Sequence, residues 1–178
     1  MDYYYYLTSK FTLIPQMFFT QKNAIEAMKE LHPIDKGEII RHINIPAFKA
    51  YIIYALPSAV VSKMEPGEET YPLALALINL LKGIKDYNKV IFHYSTSHNL
   101  AHIVICKGND LQIVNSYNAD CFESAAYFLF LAIKQTIINP LQTNVHVCSD
   151  LNEQEKKIID KYFAGVEISI IDSQINLL

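Results

Sequence analysis

The 178-residue sequence predicts an α/β protein with a mixed sheet, whose second half runs β-β-β-α-β-α-β. Three observations carry this. Residues 89–117 hold three apolar, β-branched runs, separated by a polar turn and by Gly108-Asn109, two residues that tolerate positive φ. Two stretches with helical spacing follow, over 122–138 and 153–164. Further β-branched runs, 144–148 and 166–171, alternate with them. Strands and helices in this order build a sheet covered by helices.

The first half is mixed. Residues 3–14 are aromatic and β-branched with rough alternation, which predicts one strand ending at Pro15. Ile25, Met28 and Leu31 recur at helical spacing over 21–32, and Pro33 stops that helix. Residues 38–45 and 47–56 read as a strand pair around Pro46. Pro57 suits the first position of a helix over 58–64. Residues 65–69, Glu-Pro-Gly-Glu-Glu, read as an exposed acidic loop. A helix over 72–82 offers Leu73, Leu77, Leu80 and Leu81 to a core. Gly83 can cap it and residues 86–88 turn, so the chain divides into a first lobe, 1–86, and a second lobe, 87–178.

In the second lobe the strands are expected over 89–94, 100–107 and 111–117, with a polar turn at 95–99. Asp120 is the expected N-cap of the long helix, Glu123 completes a capping-box-like pair, and Pro140 ends the helix. Asn152 caps 153–164, where Glu153 and Glu155 come early and Lys161 late, as the macrodipole prefers. Gly165 ends that helix. No internal repeat is evident, and low complexity is limited to the four tyrosines at 3–6.

Composition excludes several classes. With 15 Lys+Arg against 18 Asp+Glu, the net charge is −3, and the basic residues are dispersed, so the footprint of a nucleic-acid binder is lacking. Apolar residues make up 51% and charged residues 19%, as in a folded protein. The longest apolar runs, 73–81 and 125–133, fall far short of the roughly 20 residues that span a bilayer. MDYYYYL has no basic region that would start a signal peptide. Cys106, Cys121 and Cys148 are odd in number and widely spaced, which reads as reduced thiols and a cytoplasmic location.

A three-strand meander followed by αβαβ is the order of the ribonuclease H-like fold, which, used twice, builds the actin-like ATPases. Several segments resemble one family more closely. These are FTLIP (11–15) with Met17-Phe18-Phe19, IIYALP (52–57), and LQIVNSYNADCFESAAYFLFLAIKQTIINP (111–140), with Asn115, Ser116, Tyr117 and the run Tyr127-Phe128-Leu129-Phe130. They resemble the bacterial domain-of-unknown-function family 3822. The resemblance implies a bacterial cytoplasmic protein with an actin-like ATPase fold and no established activity. Members begin with a further strand-rich portion, so it also implies an incomplete first lobe.

The chemistries this fold supports each demand particular residue types. Actin-like ATPases hold phosphates with Asp and Gly-rich hairpins, because backbone amides must approach the phosphate and an acid must organise Mg²⁺. The equivalent hairpin, 92–99, has neither Asp nor Gly, and no GxxxxGK[ST] occurs. Ser95, Thr96, Ser97 and Asn99 are what remains to touch an anion, against a simple polar turn. Two-metal nucleases need a carboxylate on the first strand; 89–94 offers none, and Glu123 and Asp150 read as cap and turn residues. His93 and His102 are expected as cross-strand neighbours. Cys106 shares a face with His102 at about 13 Å along the strand, too far to share one zinc. Cys106 and Cys148 lie in apolar strands that make thiols inert, whereas Cys121 near a helix start is the reactive candidate.

No catalytic residue, cofactor or resident metal is assigned. The reading is a non-catalytic, pseudo-ATPase scaffold or interaction module. Its alternatives are a nucleotide or anion binder using 95–99, and a redox or metal protein using Cys121 or His93/His102. Partners are expected to be a protein or a second copy, through the Tyr/Phe-rich surfaces: Tyr127, Phe128 and Phe130 on their helix, residues 3–6, and the tail 175–178. The helix bearing Tyr127 is apolar nearly all round, which also fits burial on both sides.

Overall fold

The computed structural model describes residues 3–64 and 69–169. The tail 175–178, the loop 65–68 and the end of the last expected strand lie outside the described residues. Contacts divide the chain into two compact units that meet between Leu75 and Ala76, upstream of the turn at 83–88 that the sequence suggests.

The first unit begins with β1 (Tyr3–Tyr6) and β2 (Phe11–Pro15). The single strand expected over 3–14 is therefore two. The backbone N–H of Lys10 donates to Thr8 Oγ1 at 3.0 Å and that of Phe11 to Ser9 O at 3.0 Å, folding a turn between the strands. A helix α1 (Gln21–Leu31) follows, capped by Thr20, whose hydroxyl accepts from the Asn23 N–H at 3.1 Å. Its buried stripe is Ala24 and Met28, with Ala27 beside them, while Leu31 is exposed, so Met28 faces inward as expected but the face is rotated from the one the Ile25–Met28–Leu31 spacing suggested.

Next come β3 (Glu38–Ile45) and β4 (Ala50–Pro57), then a single helical turn α2 (Ser58–Val61). Pro57 belongs to β4 and stands at the cap rather than the first helical position, and the helix expected to reach 64 stops at Val61. The sequence missed β5 (Glu69–Pro72), which pairs in parallel with β1. It consumes the Pro72 that was expected to open α3, which covers Leu73–Leu80. β2, β4 and β3 form an antiparallel sheet with β4 in the middle. Met28 and Ala24 of α1 pack with Ile14, Ile53 and Ala55 of this sheet.

The second unit carries the expected order. Its strands are β6 (Asn88–Ser95), β7 (Leu100–Lys107) and β8 (Asp110–Asn118), followed by α4 (Phe122–Gln135), β9 (Asn144–Val147), α5 (Glu153–Asp160) and β10 (Gly165–Ile168). The sheet order is β10-β9-β6-β7-β8, with an antiparallel meander and two parallel strands beside β6. One face of the sheet, from Val90 and Phe92 through Ile103 and Ile105 to Val145, packs with Phe122, Ala125 and Leu129 of α4 and Ile159 of α5.

Several terminal features differ from expectation, among them the end of α5, at Asp160 rather than 164. α4 ends at Gln135 rather than 138. Cys121, not Asp120, is its N-cap, and no side chain caps the helix, so the Asp120–Glu123 pair does not form. Gly165 opens β10 instead of closing α5. The Asn152 cap forms as expected: its carboxamide oxygen accepts from Gln154 and Glu155, and the Glu155 carboxylate accepts the Asn152 N–H at 2.8 Å.

A repeat invisible in the sequence is present in the backbone. In each unit two eight-residue strands are joined through one 3₁₀ turn and one left-handed residue, Lys49 between β3 and β4, Asn99 between β6 and β7.

Candidate functional site

The hairpin between β6 and β7 is the place to test the phosphate reading. Thr96–His98 form its 3₁₀ turn and Asn99 its left-handed exit, at φ 50°. The Asn99 carbonyl accepts from the Ala119 N–H at 2.8 Å, which ties the hairpin to the end of β8. The Ser95 and Ser97 hydroxyls lie 3.0 and 2.9 Å from His98 Nδ1 and 3.2 Å from each other. They form a closed triangle within the turn. Of the four candidate residues Ser95, Thr96, Ser97 and Asn99, only Thr96 lines the neighbouring cleft.

That cleft has a volume of about 320 Å³ and lies where the N-terminal ends of α4 and α5 approach β6. Both helix macrodipoles favour an anion, and α4, which no side chain caps, adds free N–H groups, whereas at α5 the Gln154 and Glu155 N–H groups are already taken by Asn152. The side chains oppose it: Asp120, Glu123 and Glu155 line the cleft, and no Lys or Arg does. The sequence singled out none of these three as site residues, because Asp120 and Glu123 read as a capping pair and Glu155 as an early acidic residue suited to the macrodipole. Glu155 does serve that box, so its carboxylate is committed to the Asn152 N–H. Tyr94 forms the cleft's inner wall, and burial first, then the adjacent Cys121, raises its phenol above the ordinary tyrosine range against an opposing contribution from Thr96.

A second cavity of about 370 Å³ shares Asp120 and Glu123 and opens on the other side of the α4 start, toward Asn118, Ser124, Tyr127 and Phe128. Tyr127 is 63% exposed, and Phe128 beside it stacks on Tyr117 with ring centroids 4.5 Å apart. Phe130 packs edge-on against Tyr162. The helix is thus not covered on both sides: its Tyr127 edge faces solvent.

Cys121 is exposed at the start of α4, with Sγ 3.3 Å from Ser124 Oγ. No His lines its cleft. Cys106 and Cys148 are buried; burial raises the Cys106 thiol and pushes Cys148 up to about 12. His93 and His102 are cross-strand partners as the spacing predicts, with ring centroids 5.7 Å apart. Burial first, then His102 and His98, pull the His93 pKa down to about 3, which keeps it a neutral core imidazole. The group of three candidate ligands that converges among the described residues lies elsewhere, at Asp86, His146 and Glu167. Only the pairing of β9 with β10 joins the last two, so no sequence spacing announces it.

Comparison with known proteins bears on the fold. Among the described residues no helix is long and apolar enough to cross a membrane. No curated protein matches the chain. It is similar to a crystal structure from Bacteroides thetaiotaomicron VPI-5482, described as a protein with actin-like ATPase fold and unknown function, with a TM-score of 0.77 at 19% identity. The match covers 92% of this chain and 66% of that one, so this chain spans just under two thirds of the neighbour's length. At that identity the likeness is one of fold, and the actin-like ATPase fold expected from the element order is the one observed. The model of the family described as "Protein of unknown function (DUF3822)" matches residues 4–166, nearly the whole chain, and the chain belongs to that family.

Proposed function

We propose that this protein is a non-catalytic, actin-like interaction module of the cytoplasm, a pseudo-ATPase that engages a protein partner. One observation carries the reading. Among the described residues, the cleft beside the β6–β7 hairpin presents three carboxylates and no cationic side chain, a lining that disfavours a nucleotide phosphate. The hairpin itself adds little, because the Ser95 and Ser97 hydroxyls are occupied by His98. Three free cysteines fit a reducing compartment. The exposed Tyr127 and the half-buried Phe128 beside it supply rigid aromatic area of the kind protein interfaces use, rimmed by Asp120 and Glu123.

The test is a thermal-shift panel with ATP, ADP and GTP, each with and without Mg²⁺. A nucleotide at 100 times its Kd stabilises by about 2.7 kcal/mol, several degrees for a chain of this size. No shift is expected with any of the six. A Mg²⁺-dependent shift that disappears in Thr96→Ala would overturn the reading in favour of a nucleotide binder, with the α4 and α5 N-termini as its phosphate site. On the partner side, Tyr127→Ala is expected to release proteins that the wild-type chain retains, with its unfolding midpoint unchanged.

A further inference from the structure

We infer that Asp86, His146 and Glu167 form a divalent-cation site at the β9–β10 edge of the second unit. This stands apart from the cleft at α4 and does not depend on the interaction reading. His146 on β9 and Glu167 on β10 are register partners, so their side chains leave the sheet on the same face. Asp86 joins them from the turn that leads into β6, the strand on the other side of β9. Each residue brings one ligand atom within 4.8 Å of the other two. His146 Nδ1 and Glu167 Oε2 are 3.4 Å apart, the separation of two adjacent ligands bound at about 2.1 Å to one metal. Asp86 is exposed, so its carboxylate is free to turn toward the other two ligands.

The charge balance points the same way. Among the described residues no Lys or Arg pairs with either carboxylate; the one ion-pair partner is His146, on Glu167. Asp86 and Glu167 instead share a single neutral donor, the Asn144 carboxamide, at 3.4 and 3.0 Å. Two carboxylates gathered around one imidazole leave like charge uncompensated, and a dication offsets it. His146 is 7% exposed, and among the described residues its Nε2 has no hydrogen-bond partner. All its polar contacts therefore lie at Nδ1, on the side of Glu167 and of Ser169 Oγ at 3.4 Å.

One imidazole nitrogen with two carboxylate oxygens suits Zn²⁺, Co²⁺ or Mn²⁺ better than a soft monovalent ion or all-oxygen Ca²⁺. Three protein ligands leave positions for water. With no acceptor at Nε2 to orient the ring, affinity is expected to be moderate. The bound ion would fasten β10 and the turn at Asp86 to β9.

The experiment uses the full chain, stripped with chelator, titrated with Zn²⁺ by calorimetry and with Co²⁺ by visible absorption. Asp86→Asn and Glu167→Gln are tested because both residues are exposed and their replacement spares the core. One equivalent of each metal is expected to bind, with no thiolate-to-cobalt charge-transfer band. Affinity should fall about tenfold or more in either variant while the metal-free unfolding midpoint stays at the wild-type value. Three results would each overturn the site: no stoichiometric binding, binding unchanged in both variants, or a charge-transfer band that places the metal on a cysteine.

Discussion

Lys49 and Asn99 occupy the same position in two hairpins of the same build, each left-handed, at φ 49° and 50°. Each donates its N–H to the first residue of the preceding 3₁₀ turn, Lys49 to Pro46 O and Asn99 to Thr96 O. Each also offers its carbonyl to a strand end: Lys49 O accepts from Gln16 at 2.7 Å and Asn99 O from Ala119 at 2.8 Å. β2 therefore stands to β4 as β8 stands to β7, although β2 precedes its hairpin in the chain and β8 follows its own. The three-strand sheet β2-β4-β3 and the β8-β7-β6 part of the five-strand sheet share one layout reached by different connections.

The two left-handed residues are not equally comfortable. Asn tolerates this conformation through local hydrogen bonding, whereas a long side chain such as Lys is strained by roughly 1 kcal/mol. Lys49→Gly is therefore expected to stabilise the chain, and Asn99→Gly to be near neutral. Urea unfolding of both variants reads the difference, expected at about 0.5–1 kcal/mol; a Lys49→Gly variant less stable than wild type would refute it.

The helix starts give a paired prediction. Asn152 closes a reciprocal capping box, so Asn152→Ala should cost about 1 kcal/mol. Asp120 caps nothing, so Asp120→Ala should leave the unfolding midpoint within experimental error. Equal losses in the two variants would mean that Asp120 supports α4 in some other way.

His93 sets a pH dependence. Its pKa is near 6.5 in the unfolded chain and about 3 in the fold. The native state keeps it neutral while the unfolded chain takes up a proton as the pH falls, so its contribution is complete above about pH 6.5 and is lost progressively down to about 3. The expected slope is up to about 1.4 kcal/mol per pH unit within that window. His93→Leu should flatten the difference between unfolding free energies at pH 7.5 and 5.0; an unchanged difference would show that His93 is charged in the native state.

The three thiols should separate by exposure. Native protein is expected to react at Cys121 alone, because Cys106 and Cys148 are buried and their thiols are shifted upward. Thiol titration should count one fast equivalent, none in Cys121→Ser, and three in denaturant. A second fast equivalent in native protein would mean that one of the apolar strands opens.

Much of the second unit was legible because its signals are local. Gly108 adopts φ 58° in the turn that its dipeptide predicted, Asn152 caps α5 as expected, and the strand expected over 100–107 has the bounds of β7. The first unit was less so. β5 is four residues long and half of it is Tyr71-Pro72, too short for a periodic signal; it is a strand because β1 lies alongside it. The exposed edge of α4 at Tyr127 was equally hidden, since a run of aromatic residues looks the same whether a neighbour covers it or not.

The sequence by itself determined which segments become strands and helices in the second unit, their order, and hence the fold, because turns, caps and hydrophobic period act over a few residues. It also determined that the hairpin at 92–99 lacks Gly and Asp, a matter of residue identity alone. Only the tertiary structure decided what the side chains do. It closed Ser95 and Ser97 onto His98, left Thr96 facing three carboxylates, and brought His146 to Glu167 from 21 residues away through the β9–β10 register. Those contacts depend on strand pairing and helix placement across the sheet, which the whole core fixes and no short stretch of sequence records.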